Sequence, residues 1–150
     1  MRSCPHCGVV LQKARSEPDH RRFFGLLAAA YHHWPEAHEF NPDSAEHLRA
    51  YLLVKTKHRM VERYTPARKA DIQAALAAVQ FSLDAQRKKG IYGFAVLHGG
   101  SVNVLYPKSI NWETLSQKDF APIRSAVEDV IEAEIGISSD KLLDEHARAA

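Results

Sequence analysis

Residues 16–34, Ser-Glu-Pro-Asp-His-Arg-Arg-Phe-Phe-Gly-Leu-Leu-Ala-Ala-Ala-Tyr-His-His-Trp, constrain the fold more than any other stretch, because they hold a helix start and an aromatic seam together. Ser16 with Asp19 three residues on reads as a capping box. Pro18 is tolerated in the first turn, where its missing N–H would be unpaired anyway. At 100° per residue Phe23, Phe24, Leu26, Leu27, Ala30, Tyr31 and Trp34 fall in one apolar arc with His20 at its edge. That arc builds a core. The opposite face, Arg21, Gly25, Ala28, Ala29 and His32, is small and nearly flat and begins with a positive charge. A second backbone, a partner protein or a phosphate can approach it closely.

The chain breaks after Trp34-Pro35, and Asn41-Pro42-Asp43-Ser44 restarts it with turn residues and an N-cap. A second helix is expected over about 45–58, with Leu48, Tyr51 and Leu52 inward and Arg49, Lys55 and Lys57 toward water. Thr65-Pro66 opens a third, in which Ile72, Leu76, Val79, Leu83 and Gln86 recur at helical spacing until Gly90. The period then switches to two. Residues 92–97 and 102–106 flank His98-Gly99-Gly100-Ser101, which predicts a β-hairpin. Ile123, Val127, Val130, Ile131 and Ile135 mark a last long helix before Gly136. Either Ser116 and Asp119 cap a short turn that kinks at Pro122, or the regular helix begins there. A short helix over Leu142 and Leu143 fits the polar tail. The whole predicts an α+β fold in which three or four helices pack with a small antiparallel sheet. A single domain is expected over 16–150, preceded by a Cys-containing segment, 1–15.

Charge is polarised along the chain although the net value is only +2. Between 55 and 69, Lys55, Lys57, Arg59, Arg63, Arg68 and Lys69 meet one acid, Glu62. From 120 onward the balance reverses, with Glu128, Asp129, Glu132, Glu134, Asp140, Asp144 and Glu145 against Arg124, Lys141 and Arg148. A positive patch of that size attracts nucleic acid or an acidic protein surface, and it is also what a solvated helix face looks like. No apolar run of about 18 residues and no charged-then-hydrophobic leader is present, so the expected compartment is the cytoplasm, without membrane insertion.

Reduced thiols are expected there, which makes Cys4-Pro5-His6-Cys7-Gly8 a candidate metal or redox element. As a zinc knuckle, Cys4 and Cys7 would share one ion with His20, twelve residues beyond Cys7. His32 and His33 lie roughly 18 Å further along the helix and cannot join it. A fourth ligand would come from His38, His58, His98 or a partner chain. Redox chemistry needs a strand before the motif, and only three residues precede it. A flexible N-terminal tail without function is the third reading.

Arg15-Ser16 followed by Asp19-His20-Arg21-Arg22-Phe23-Phe24-Gly25-Leu26-Leu27 resembles the Arg-Asn-x-x-x-His-Arg-x-Phe-Phe-Ala-Leu-Leu hallmark of an uncharacterised phage and prophage family. Pro107-Lys108-Ser109-Ile110-Asn111-Trp112, Asp119-Phe120 and the Val127-Glu128-Asp129-Val130-Ile131 run are similar to that family's Ser-Ile-Ser-Phe segment and closing helix. The helical stretch over 65–89 stands out as an insertion relative to the family. The resemblance implies a protein of the recombination and replication region of tailed-phage genomes. A fainter likeness, through the basic start of an aromatic-rich helix, is to lambdoid mediator proteins that load recombinase onto single-stranded DNA.

Two functions follow as expectations. The first is a non-catalytic nucleic-acid-binding accessory, with Arg21, Arg22, Lys55, Lys57, Arg59 and Arg63 on phosphates and Tyr64 as a stacking platform. The second is a host-defence inhibitor that binds a host protein at its nucleic-acid site, using the acidic C-terminal helix as the mimic. An enzyme fits less well: no paired carboxylates stand at ligand spacing, no Gly-rich phosphate loop occurs and no nucleophile is marked.

Overall fold

The computed structural model describes residues 2–3, 10–11, 16–111 and 113–149. They divide into two compact units, one made of Met1–Ala45 with Ser109–Ala150 and the other of Glu46–Lys108. The architecture is the expected α+β, with five helices among the described residues, where three or four were expected, and a small antiparallel sheet of three strands.

In the first unit the helices are accompanied by two short paired strands, β1 (Arg2–Ser3) and β2 (Val10–Leu11). Helix α1 (Glu17–His32) begins as its sequence requires: Ser16 is extended, and its hydroxyl accepts from the Asp19 amide at 3.4 Å. The predicted arc is the core. Phe23, Leu26, Leu27 and Ala30 are buried, and Phe23 meets Phe120 edge-on with ring centroids 5.3 Å apart. Phe120, Val127 and Ile131 come from α4 (Gln117–Ile135), which starts at the Ser116 cap and carries Pro122 inside it. The regular helix therefore starts at Ser116, and Gly136, left-handed at φ 86°, stops it.

The small face of α1 is not an open surface. Helix α5 (Ser139–Ala149) packs on it. Ala29 is fully buried, and a methyl group placed on Gly25 would stand 3.8 Å from Leu143 Cδ2. The close-approaching backbone that Gly25, Ala28 and Ala29 permit is thus supplied by the chain itself. A carboxylate fixes the start of α5: Glu132 Oε1 accepts from the Ser139 amide at 2.8 Å, and that bond holds the Glu132 pKa below its usual value.

The second unit takes in α2 (Ala45–Lys55), β3 (Arg59–Tyr64), a 3-10 turn (Lys69–Asp71), α3 (Ile72–Arg87), β4 (Phe94–His98) and β5 (Ser101–Pro107). The hairpin forms as predicted, with His98 opposite Ser101 across the Gly99-Gly100 turn. The sheet order is β3-β5-β4. Strand β5 is central, and its register sets Arg63 opposite Asn103 on one side and Val96 opposite Asn103 on the other. Residues 65–89, expected as an insertion, fall inside this larger unit.

Alternation along each strand separates two faces. Val102, Val104 and Tyr106 look toward α3, which lies over β4 and β5, and the Tyr106 hydroxyl donates to Gln86 Oε1 at 3.4 Å. Burial pushes the Tyr106 phenol pKa up. Helix α3 turns the predicted residues inward, with Leu83 buried and Ile72, Leu76, Val79 and Gln86 half-buried. On the other face Phe94 packs by Tyr51 of α2 at 6.0 Å, and buried His47 stacks on Tyr92 at 4.9 Å.

The second helix ends three residues before its expected limit. The amides of Lys57 and His58 bond back to the carbonyls of Val54 and Leu53, a Schellman pair, and the chain then leaves as β3. Six residues of the cationic run thus form a strand, not a helix face.

Two measurements test this packing. A methyl on Gly93 would stand 2.7 Å from both Leu83 Cδ2 and Tyr106 Cε1, so Gly93→Ala should destabilise the protein by about 1–3 kcal/mol in chemical denaturation. Glu132 has a depressed folded-state pKa, so its contribution is present above its unfolded value, about 4.3, and is lost as pH falls through the folded value. Melting curves of Glu132→Gln should lie below wild type at neutral pH and converge with it in acid.

Candidate nucleic-acid interface

The division into units sorts the charge. Glu46–Lys108 holds eleven Lys and Arg against four Asp and Glu, net +7, and the other unit holds nine against fourteen, net −5. An overall charge of +2 conceals this separation.

In the acidic unit Arg21, Arg22 and Arg124 are spent internally. Arg22 reaches Asp140 at 2.9 Å and Glu128 at 3.4 Å, while Arg124 reaches Asp19 at 2.9 Å and Glu128 at 3.5 Å. Gln117 extends the network, donating to Asp19 Oδ2 at 2.7 Å and accepting from the Ser16 amide at 2.8 Å. Glu128 and Asp19 are mostly buried, so removing Arg124 would leave the desolvated Asp19 carboxylate without a cation beside it. Arg21 pairs with Glu17 at 2.9 Å on the surface. Arg21 and Arg22, expected on phosphates, therefore belong to the acidic unit and have carboxylate partners.

The remaining expected residues, Lys55, Lys57, Arg59, Arg63 and Tyr64, follow one another from the end of α2 through β3. Lys57, Arg59 and Arg63 make no ion pair among the described residues. Arg59 donates to the Val54 carbonyl at 3.1 Å, which ties β3 to the end of α2. Lys55 holds its ammonium 5.7 Å from the centroid of the Tyr51 ring.

The sheet divides these groups in a way that their spacing in sequence conceals. Arg59, Val61 and Arg63 share a face with Ser101, Asn103 and Leu105 of β5 and with Phe94, Val96 and His98 of β4. No carboxylate projects from a strand on that face. Helix α2 covers its Phe94 corner, and the rest is open: Val61 is 51% and Val96 47% exposed, and Arg63 and His98 are exposed beside them. Arg63 Nε donates to Asn103 Oδ1 at 3.2 Å, which holds the guanidinium over the sheet.

Tyr64 lies on the reverse face with Met60 and Glu62. Its hydroxyl donates to Glu62 Oε2 at 2.8 Å, and the bonded carboxylate raises the phenol pKa. It cannot stack a base over Arg63. The apolar positions of the cationic face are instead Val61 and Val96, and its ring is His98. None of these was a sequence-based candidate for this role. The alternation Arg59-x-Val61-x-Arg63 is the signal that would have found Val61.

Metal binding gains no geometry here. Cys4 and Cys7 lie outside the described residues, and His20 packs against Phe24 with ring centroids 4.6 Å apart. His146 of α5 meets His32 at 5.1 Å, nearly parallel, and His33 at 6.1 Å. No group of three or more His, Cys, Asp or Glu that could hold a metal ion occurs among the described residues. No helix among them is long and apolar enough to cross a membrane. Comparison with protein-family models, with curated proteins and with solved structures gives no match to this chain.

One backbone feature marks the cationic segment. Lys57 has φ 69°, the left-handed conformation that a Schellman turn usually fills with glycine, and the other positive-φ residues among the described residues are all glycines. A lysine there costs about 1 kcal/mol of backbone strain. Lys57→Gly should therefore raise stability by about that amount, measured by urea denaturation.

Proposed function

We propose that the Glu46–Lys108 unit binds single-stranded nucleic acid across the open face of its sheet. The observation that carries this reading is the face itself: Arg59, Arg63 and His98 stand around Val61, Val96 and Asn103 with no strand carboxylate among them. Arg59, Arg63 and Lys57 supply phosphate contacts and release counterions. Val61, Val96 and the His98 ring give unstacked bases an apolar surface, and Asn103 offers an amide to base edges. A single strand suits the site better than a duplex, because exposed valines on a three-stranded sheet reward bases turned out of a stack. The strained Lys57 fits the same reading, since a glycine there would relax the backbone and remove a cation from the edge of the site. An accessory role in recombination or replication accords with the motif resemblance.

Fluorescence anisotropy with a labelled oligonucleotide, titrated at several salt concentrations, tests the proposal. Affinity should fall linearly in log–log form with salt, by roughly 0.7 in slope for each phosphate neutralised. Arg63→Gln should weaken binding and lower that slope by about one contact, whereas Arg21→Gln should leave both unchanged. A flat salt response, or equal losses for the two variants, would reject this face as the site.

A further inference from the structure

Strand β3 ends the sheet on one side, and its outer edge is main chain that the open-face reading does not use. The ladder decides which groups stand there. The Lys108 amide donates to the His58 carbonyl at 3.0 Å, one step beyond the Arg59–Pro107 pair, so 58 and 108 form a hydrogen-bonded pair. Such pairs alternate with non-bonded ones. Met60, Glu62 and Tyr64 therefore give their N–H and C=O to β5, and Arg59, Val61 and Arg63 turn theirs outward. Pro107 agrees with this phase, since it has no N–H to offer the Arg59 carbonyl opposite it. Among the described residues nothing bonds the outward groups, and Val61 and Arg63 are exposed.

We infer that this edge takes an extended acidic segment of a partner protein, added antiparallel as a fourth strand, with carboxylates opposite Arg59 and Arg63 and an apolar side chain opposite Val61. Donor and acceptor recur together every two residues, roughly 6.8 Å, which is the repeat of another extended main chain. Directly opposite residues of an antiparallel pair share a face, so the partner's side chains across from Arg59, Val61 and Arg63 stand on the cationic side. Both arginines bond only uncharged oxygens among the described residues, and carboxylates four positions apart in the partner would meet both. The inference shares two guanidiniums with the nucleic-acid reading but rests on the main chain of the edge, so each stands or falls by itself.

Charge rejects a second copy as the occupant. An antiparallel two-fold pairing that engages the outward groups along most of β3 is centred on Val61 or on Glu62. The first sets Arg59 against Arg63 of the other copy at both ends, and the second sets Glu62 against Glu62. A basic segment fails on the same two arginines. Charged edges guard a sheet against chance pairing, and here the guard leaves an acidic strand as the chemistry admitted.

Amide hydrogen exchange of the full chain, read by NMR, is the test, with a synthetic peptide carrying Glu-Thr-Val-Thr-Glu between Gly-Ser flanks as the probe. The Arg59, Val61 and Arg63 amides should exchange freely in the protein alone and become protected with peptide. Ala95 and Leu97, which turn outward on the β4 edge, should not change. Arg63→Gln should weaken binding about two- to fivefold, the worth of one cross-strand charge pair, and should keep the wild-type melting curve because its side chain is exposed. The isomer Glu-Glu-Val-Thr-Thr, equal in charge, should bind less well, because it sets one carboxylate against Glu62. Absence of protection at the three amides, equal binding of the isomer, or protection that grows with protein concentration without peptide would overturn the inference.

Discussion

Strand β5 organises the basic unit, and its pairing on both edges is the constraint from which the rest follows. Val102 and Val104 are buried under α3, so the alternation of this one strand decides which side of the sheet is core. Its neighbours have no freedom after that. Tyr64 opposite Val102 and Glu62 opposite Val104 must share the α3 side, and Arg63 opposite Asn103 must share the other. A slip of one residue in β3 would exchange the two sets, placing Glu62 among the valines of the open face and the arginines beside α3. The cationic face is thus a product of register as much as of composition.

Arg22 and Arg124 of the acidic unit are held in the opposite way to Arg59 and Arg63 of the basic one. Where Asp19, Glu128 and Asp140 surround Arg22 and Arg124, the positive charges neutralise carboxylates that would be costly to leave alone in a partly dry setting. Their contribution is to the joining of α1, α4 and α5. Among the described residues Arg59 and Arg63 have only uncharged acceptors, a carbonyl and an amide oxygen. Hydrogen bonds of that kind orient a guanidinium without cancelling its field, so the charge stays available to an anion in solution.

Much of this was legible in the sequence wherever a pattern ran for several turns. Sixteen-residue α1 and α3 each repeat an apolar face often enough to fix both identity and inward side, and Ser16 and Gly136 mark boundaries by backbone chemistry that few residues can supply. Strand β3 was not legible. Arg-Met-Val-Glu-Arg-Tyr has one half-buried and five exposed positions, so no hydrophobic alternation distinguishes it. What makes it a strand is the free edge of β5, some forty residues later. The small face of α1 was read as open to a second backbone, a partner or a phosphate, and which of these it meets was not legible for the same reason, since α5 lies more than a hundred residues downstream of Gly25. Arg22 and Arg63 look alike as letters, and only tertiary partners separate a structural cation from an available one.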